Sequence, residues 1–88
     1  MITRQFEVLN ELGFHARVAS RIVREVRKFE SSVIIKKSSR KFDLKNVTGV
    51  ITSNVKRGDV VTIEFDGADE ETAAEALETL FKNKFGEK

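Results

Sequence analysis

Eighty-eight residues with 40% hydrophobic and 34% charged content and a net charge of +2 suit one globular domain, residues 1–88, with one modest core. No apolar run nears the roughly 20 residues needed to cross a bilayer, and the start Met1-Ile2-Thr3-Arg4-Gln5 lacks a signal-peptide pattern, so direct membrane insertion is not expected and a cytoplasmic home is. Cysteine is absent and His15 is the sole histidine, which rules out disulfides, thiolate chemistry and multi-histidine metal centres; no metal or cofactor is expected.

Along the chain, Ile2, Phe6 and Val8 alternate with Thr3, Gln5 and Glu7, which predicts a half-buried strand over Ile2 to Val8. Arg4 falls on its apolar side and marks an edge or strand end. Asn10-Glu11-Leu12-Gly13 breaks the pattern. From Ala16, the apolar spacing through Ala19, Ile22, Val23, Val26 and Phe29 predicts an amphipathic helix. Its other side lines up Arg17, Arg21, Arg24 and Lys28 as a basic stripe.

Val33-Ile34-Ile35 reads as a short strand, and Phe42 with Leu44 marks another, joined by a hairpin turn at Lys37-Ser38-Ser39-Arg40. Val47, Val50 and Ile51 fit a short helix capped by Asn46, although Gly49 counts against it. Gly58-Asp59 turns the chain into a strand over Val60 to Asp66. Asp69 then caps a last helix, with Glu70 and Glu71 in its first turn and Ala73, Ala76, Leu77, Leu80 and Phe81 as its buried stripe. Gly86 is placed to close it. Strand, helix, strand, strand, short helix, strand, helix makes an α+β sandwich: a four-stranded sheet with one face covered by three helices.

Charge is unevenly spread. Residues 1–63 hold 13 Lys/Arg against 6 Asp/Glu, and residues 64–88 hold 3 against 8. A basic surface suits an acidic partner or nucleic acid. Nucleic acid is the weaker choice, because all seven aromatics are phenylalanines and most fall on buried stripes, leaving no stacking platform for bases.

His15 stands between a glycine turn and a helix start. The first turn of a helix offers unpaired N–H groups and partial positive charge, which favour anions. A phosphoryl group on His15 would meet the N–H groups of Ala16, Arg17 and Val18, and the Arg17 guanidinium could add charge-assisted hydrogen bonds.

Gly13-Phe14-His15-Ala16-Arg17 resembles the active-centre motif of the HPr family, whose usual form is Gly-aliphatic-His-Ala-Arg-Pro. The resemblance continues at Lys28-Phe29, at Leu44-Lys45-Asn46-Val47-Thr48-Gly49-Val50 and at Asp66-Gly67-Ala68-Asp69-Glu70, in register over nearly the whole chain. It implies the open-faced β-sandwich with a βαββαβα order, and a monomeric phosphocarrier without turnover of its own. By position it makes His15 the residue phosphorylated, through Nδ1, and Arg17 its phosphate partner. Enzyme I would be the donor and IIA components of the sugar phosphotransferase system the acceptors. They would dock on Arg21, Arg24, Arg27, Lys28, Val47, Thr48 and Ile51.

Four positions depart from the family pattern. Val18 replaces the usual proline, which frees the first helical turn and adds an N–H. Asn46 stands where many Gram-positive relatives carry a phosphorylatable serine, so regulation through that position is not expected. Thr48 and Ile51 stand where methionine or other apolar residues are frequent, which admits a second reading: a regulatory binding module or a specialised phosphorelay paralogue.

Overall fold

A computed structural model describes residues 1–87. Strand β1 (Ile2–Glu7) leads to helix α1 (Ala16–Val26), the hairpin β2 (Ser32–Lys37) and β3 (Arg40–Asp43), helix α2 (Val47–Thr52), strand β4 (Val60–Asp66) and helix α3 (Glu70–Lys82). A short 3-10 turn, Lys84–Gly86, follows. The expected sandwich is the observed one, with four antiparallel strands and three main helices.

The strand order is β1-β4-β2-β3, so β1 lies at an edge and exposed Arg4 has solvent to reach. Ile2 pairs with Phe65 and Phe6 with Val61 across β1 and β4, and Val33 with Phe65 and Ile35 with Ile63 across β2 and β4. Because side chains alternate along a strand, this register gathers Val33, Ile35, Val61, Ile63 and Phe65 on one fully buried face. The α1 residues Val18, Ala19, Ile22, Val23 and Val26 and the α3 residues Ala73, Ala74, Leu77 and Phe81 close over it. On the other face Lys36 and Glu64 pair at 3.3 Å.

Several local expectations move. Val8 and Leu44 lie just past the ends of β1 and β3 yet are fully buried, and the backbone N–H of each still bonds across, Val8 to the Asp59 carbonyl and Leu44 to the Val33 carbonyl, both at 2.9 Å. Phe29 likewise packs against the core beyond the end of α1. Asp69 occupies the N-cap position of α3 but makes no side-chain cap. Its carboxylate instead accepts the backbone N–H groups of Glu30 and Ser31, both at 2.9 Å, and the Ser31 hydroxyl. Glu70 takes over at the helix start, accepting the Gly67 N–H at 3.1 Å. Gly86 does not close α3, which ends at Lys82 with Asn83 beyond it.

Asn46 caps α2 as expected, its Oδ1 accepting from Thr48 and Gly49 at 2.9 and 3.3 Å. Gly49 has a packing reason to interrupt that helix: a Cβ there would lie 2.7 Å from the Asp43 carbonyl oxygen. Glycine lets α2 sit directly on the end of β3.

Candidate functional site

The chain before α1 is pinned from three sides. The buried Asn10 side chain donates to the Gly13 carbonyl at 2.7 Å, and the Phe14 N–H reaches the Val55 carbonyl at 3.0 Å. Gly13 has φ +65°, and a Cβ on it would come within 2.5 Å of the Val55 oxygen; only glycine combines that conformation with that approach. Phe14 is then driven into the core against Phe81 and Phe85, while Val18 one turn later is also buried. His15 is held between these two anchors.

His15 is the N-cap of α1, in extended conformation (φ −78°, ψ 177°). Its carbonyl accepts the first helical hydrogen bond, from Ala19 at 2.8 Å. Its side chain makes no cap, and the first turn carries no acidic residue. The N–H groups of Ala16, Arg17 and Val18 therefore have no partner within the helix. These are the groups that the sequence reading expects to meet a phosphoryl group on His15.

The His15 ring is 27% exposed, yet its Nε2 is buried and lacks a formed hydrogen bond. Glu87 is its neighbour there, with Oε1 at 3.4 Å from Nε2. The other oxygen of the same carboxylate lies 3.6 Å from the Arg17 guanidinium. An open depression of about 430 Å³ adjoins them, lined by Glu11, Leu12, Arg17, Gly86 and Glu87. Glu87 is the site residue that sequence reasoning misses. Neither spacing nor charge pattern links a lone glutamate after Gly86 to a histidine at the opposite end of the chain.

The expected docking residues divide into two groups. Val47, Thr48 and Ile51 are exposed on α2, the two aliphatic ones by 38% and 47%. Along α1, Arg21 and Arg24 are exposed, and the Arg21 guanidinium lies so close to Gly86 that a Cβ there would overlap it. Arg27 and Lys28 already have partners within the chain: Arg27 Nε donates to the Lys45 carbonyl at 3.0 Å, and Lys28 Nζ pairs with Glu25 at 3.2 Å. Among the described residues no group of three His, Cys, Asp or Glu could hold a metal ion, and no helix is long and apolar enough to cross a membrane.

Comparison with known proteins fits this geometry. The family pattern described as "PTS HPr component phosphorylation site" matches residues 2–83. The phosphocarrier protein HPr of Xylella fastidiosa is 36% identical over 87 residues, covering 99% of this chain and 98% of that protein. Among solved structures, HPr-C-His from Thermoanaerobacter tengcongensis superposes with a TM-score of 0.95 at 36% identity, over 100% of this chain and 99% of that one. An HPr dimer from the same organism gives 0.79 at 37% identity, over 99% and 100% of the two chains.

Proposed function

Since the chain belongs to the HPr family, we propose that it is a phosphocarrier of the sugar phosphotransferase system, loaded at His15 by phosphorylated enzyme I and unloaded by IIA components in the cytoplasm. The observation that carries this reading is the seat of His15 on the N-terminus of α1, with no acidic residue in the first turn and three free N–H groups following it.

In the loading step the lone pair of His15 Nδ1 forms a bond to phosphorus while the donor's own bond to phosphorus breaks, the electron pair leaving with the donor. Buried Nε2 is the poorer candidate for that attack, because a phosphoryl donor cannot reach it. The new P–N bond is labile, which suits a group that must be handed on. The N–H groups of Ala16, Arg17 and Val18 would meet the phosphoryl oxygens as charge develops on them. Arg17, exposed apart from its contact with Glu87, supplies a guanidinium able to turn to the same oxygens. Val18 serves both purposes open to it: its side chain fills the core, and its N–H, which proline would lack, joins the anion seat.

Val47, Thr48 and Ile51 would meet the partners beside the basic residues Arg21 and Arg24. Arg27 and Lys28 would add long-range attraction more than direct contact, since each is engaged within the chain.

The test is transfer. Incubated with enzyme I and labelled phosphoenolpyruvate, the protein should take up acid-labile label and lose it to a IIA domain. His15→Ala should take up none while keeping its circular dichroism and unfolding midpoint. Label retained by that variant would put the site elsewhere, and label that never leaves the wild type would favour a regulatory module.

A further inference from the structure

The two edges of the sheet are protected differently. Strand β3 has four residues and carries Arg40 and Lys41, and Gly49 of α2 sits against its Asp43 carbonyl. Strand β1 is longer, at six residues, and has no proline. Helix α3 packs on its face, where Phe6 stacks on Phe81, and among the described residues its backbone pairs on one side only, with β4. An uncovered edge of this kind is a template for pairing with another chain.

The register shows which backbone groups lie along that free edge. In an antiparallel pair, residues that exchange both backbone bonds with the partner alternate with residues whose N–H and C=O point away from it. The Val8 N–H bonds to the Asp59 carbonyl at 2.9 Å, one step beyond the rung that pairs Glu7 with Val60. Val8 thus bonds toward β4, and by alternation so do Phe6, Arg4 and Ile2. The outward groups are those of Thr3, Gln5 and Glu7.

Arg4 is the one charged residue on the face that Ile2 and Phe6 share. It borders an open depression of about 320 Å³ together with Phe6, Leu9, Glu78, Phe81 and Lys82. Its guanidinium donates to the Thr3 carbonyl at 3.3 Å, one of the outward acceptors. A single side chain therefore sets a charge on the apolar side of the edge and occupies part of the edge itself.

A second copy adding antiparallel to β1 must bond outward residues to outward residues, and two registers centre on the strand. In one, Thr3 bonds the second copy's Gln5 and Arg4 stands opposite its own counterpart. In the other, Thr3 bonds the second copy's Glu7 and Arg4 stands opposite Phe6. Either way Arg4 falls on a non-bonded rung, where the two Cα atoms approach to about 4.5 Å. The first register sets like charges directly opposite each other. The second closes a charge between a ring and the helix layer, away from water. Both need the Thr3 carbonyl, which Arg4 must first release.

We propose that Arg4 guards the free edge of β1 and keeps two copies of this chain from joining their sheets. The inference stands apart from the phosphocarrier reading, since neither His15 nor the docking residues enter it.

The test is sedimentation of the full chain over a range of concentrations, with amide hydrogen exchange followed at Thr3, Gln5 and Glu7. The wild type and Arg4→Lys, which keeps the charge, should sediment as one chain and exchange freely at those amides. Arg4→Ile should move toward the mass of two chains as concentration rises. Exchange at Thr3, Gln5 and Glu7 should then slow about tenfold, because these are the donors a second strand engages. Arg4→Thr, another good strand former, should behave alike and keeps the test open where Arg4→Ile misfolds. Gln5→Ile adds the same side chain one position along but leaves Arg4 in place, and it should stay a single chain. The proposal is overturned if Arg4→Ile and Arg4→Thr both remain single chains, or if they associate with those three amides unprotected. Association of the wild type or of Gln5→Ile through the same amides overturns it as well.

Discussion

A single carboxylate can tie together parts of the chain that no local pattern connects, and Asp69 does so at the start of α3. Its oxygens accept from Glu30, from Ser31 and from the Ser31 hydroxyl, joining the start of α3 to the approach of β2. The Ser31 hydroxyl foremost, then the Glu30 N–H, holds the Asp69 carboxyl below its ordinary value of 3.8. Glu70 is also lowered, by the Gly67 N–H and then by the N-terminal amine. A carboxyl whose folded pKa is depressed adds stability that is complete above its ordinary value and is lost as pH falls through the folded one. The urea midpoint should therefore drop as pH is taken from about 5 to about 3. In Asp69→Asn it should start lower at neutral pH and fall less steeply, Glu70 supplying what slope remains. An equally steep acid limb in the variant would contradict this. From the sequence, Asp69 has every feature of a helix cap; what diverts it is a backbone segment nearly forty positions upstream, which periodicity cannot see.

Among the elements, long amphipathic ones are read correctly because burial on one face leaves a period in the sequence. Helix α1 begins at Ala16 and strand β4 spans Val60 to Asp66 as the pattern predicts. Short elements depend on caps and contacts instead. Helix α2 has six residues, too few to be stable by propensity alone, so the Asn46 cap matters to it. Asn46→Ala should destabilise the protein by about 1 kcal/mol, and hydrogen exchange at the Thr48 and Gly49 amides should accelerate, since those are the donors released. Exchange at these amides unchanged from wild type would show the cap to be idle. Gly49, a mark against the helix in the sequence, is the residue that permits its seat on β3. A low-propensity residue can be the one an element requires.

At the scale of the whole molecule, four phenylalanines from separate segments meet in one cluster. Phe6 of β1 stacks on Phe81 of α3 at 4.6 Å, and Phe14 and Phe85 close around Phe81. The cluster joins the edge strand, the loop before His15, the last helix and the turn that carries Glu87. Phe85→Ala should cost about 3–5 kcal/mol, through lost transfer energy and an unfilled cavity. That is a large share of the total stability of a chain this small, and it corresponds to a fall in melting temperature on the order of 20 °C. A melting temperature for Phe85→Ala close to that of the wild type would contradict the cluster's role.

The sequence by itself determined the sandwich, the exposed edge at β1, the place of His15 before a helix and the arginine two residues on, because each is written in neighbours within a turn or two of one another. Only the tertiary structure decided which nitrogen of His15 is enclosed, which carboxylate stands behind it, and where Asp69 spends its hydrogen bonds. These depend on contacts between segments distant along the chain, and the energy of such a contact leaves no period or spacing in the order of the residues.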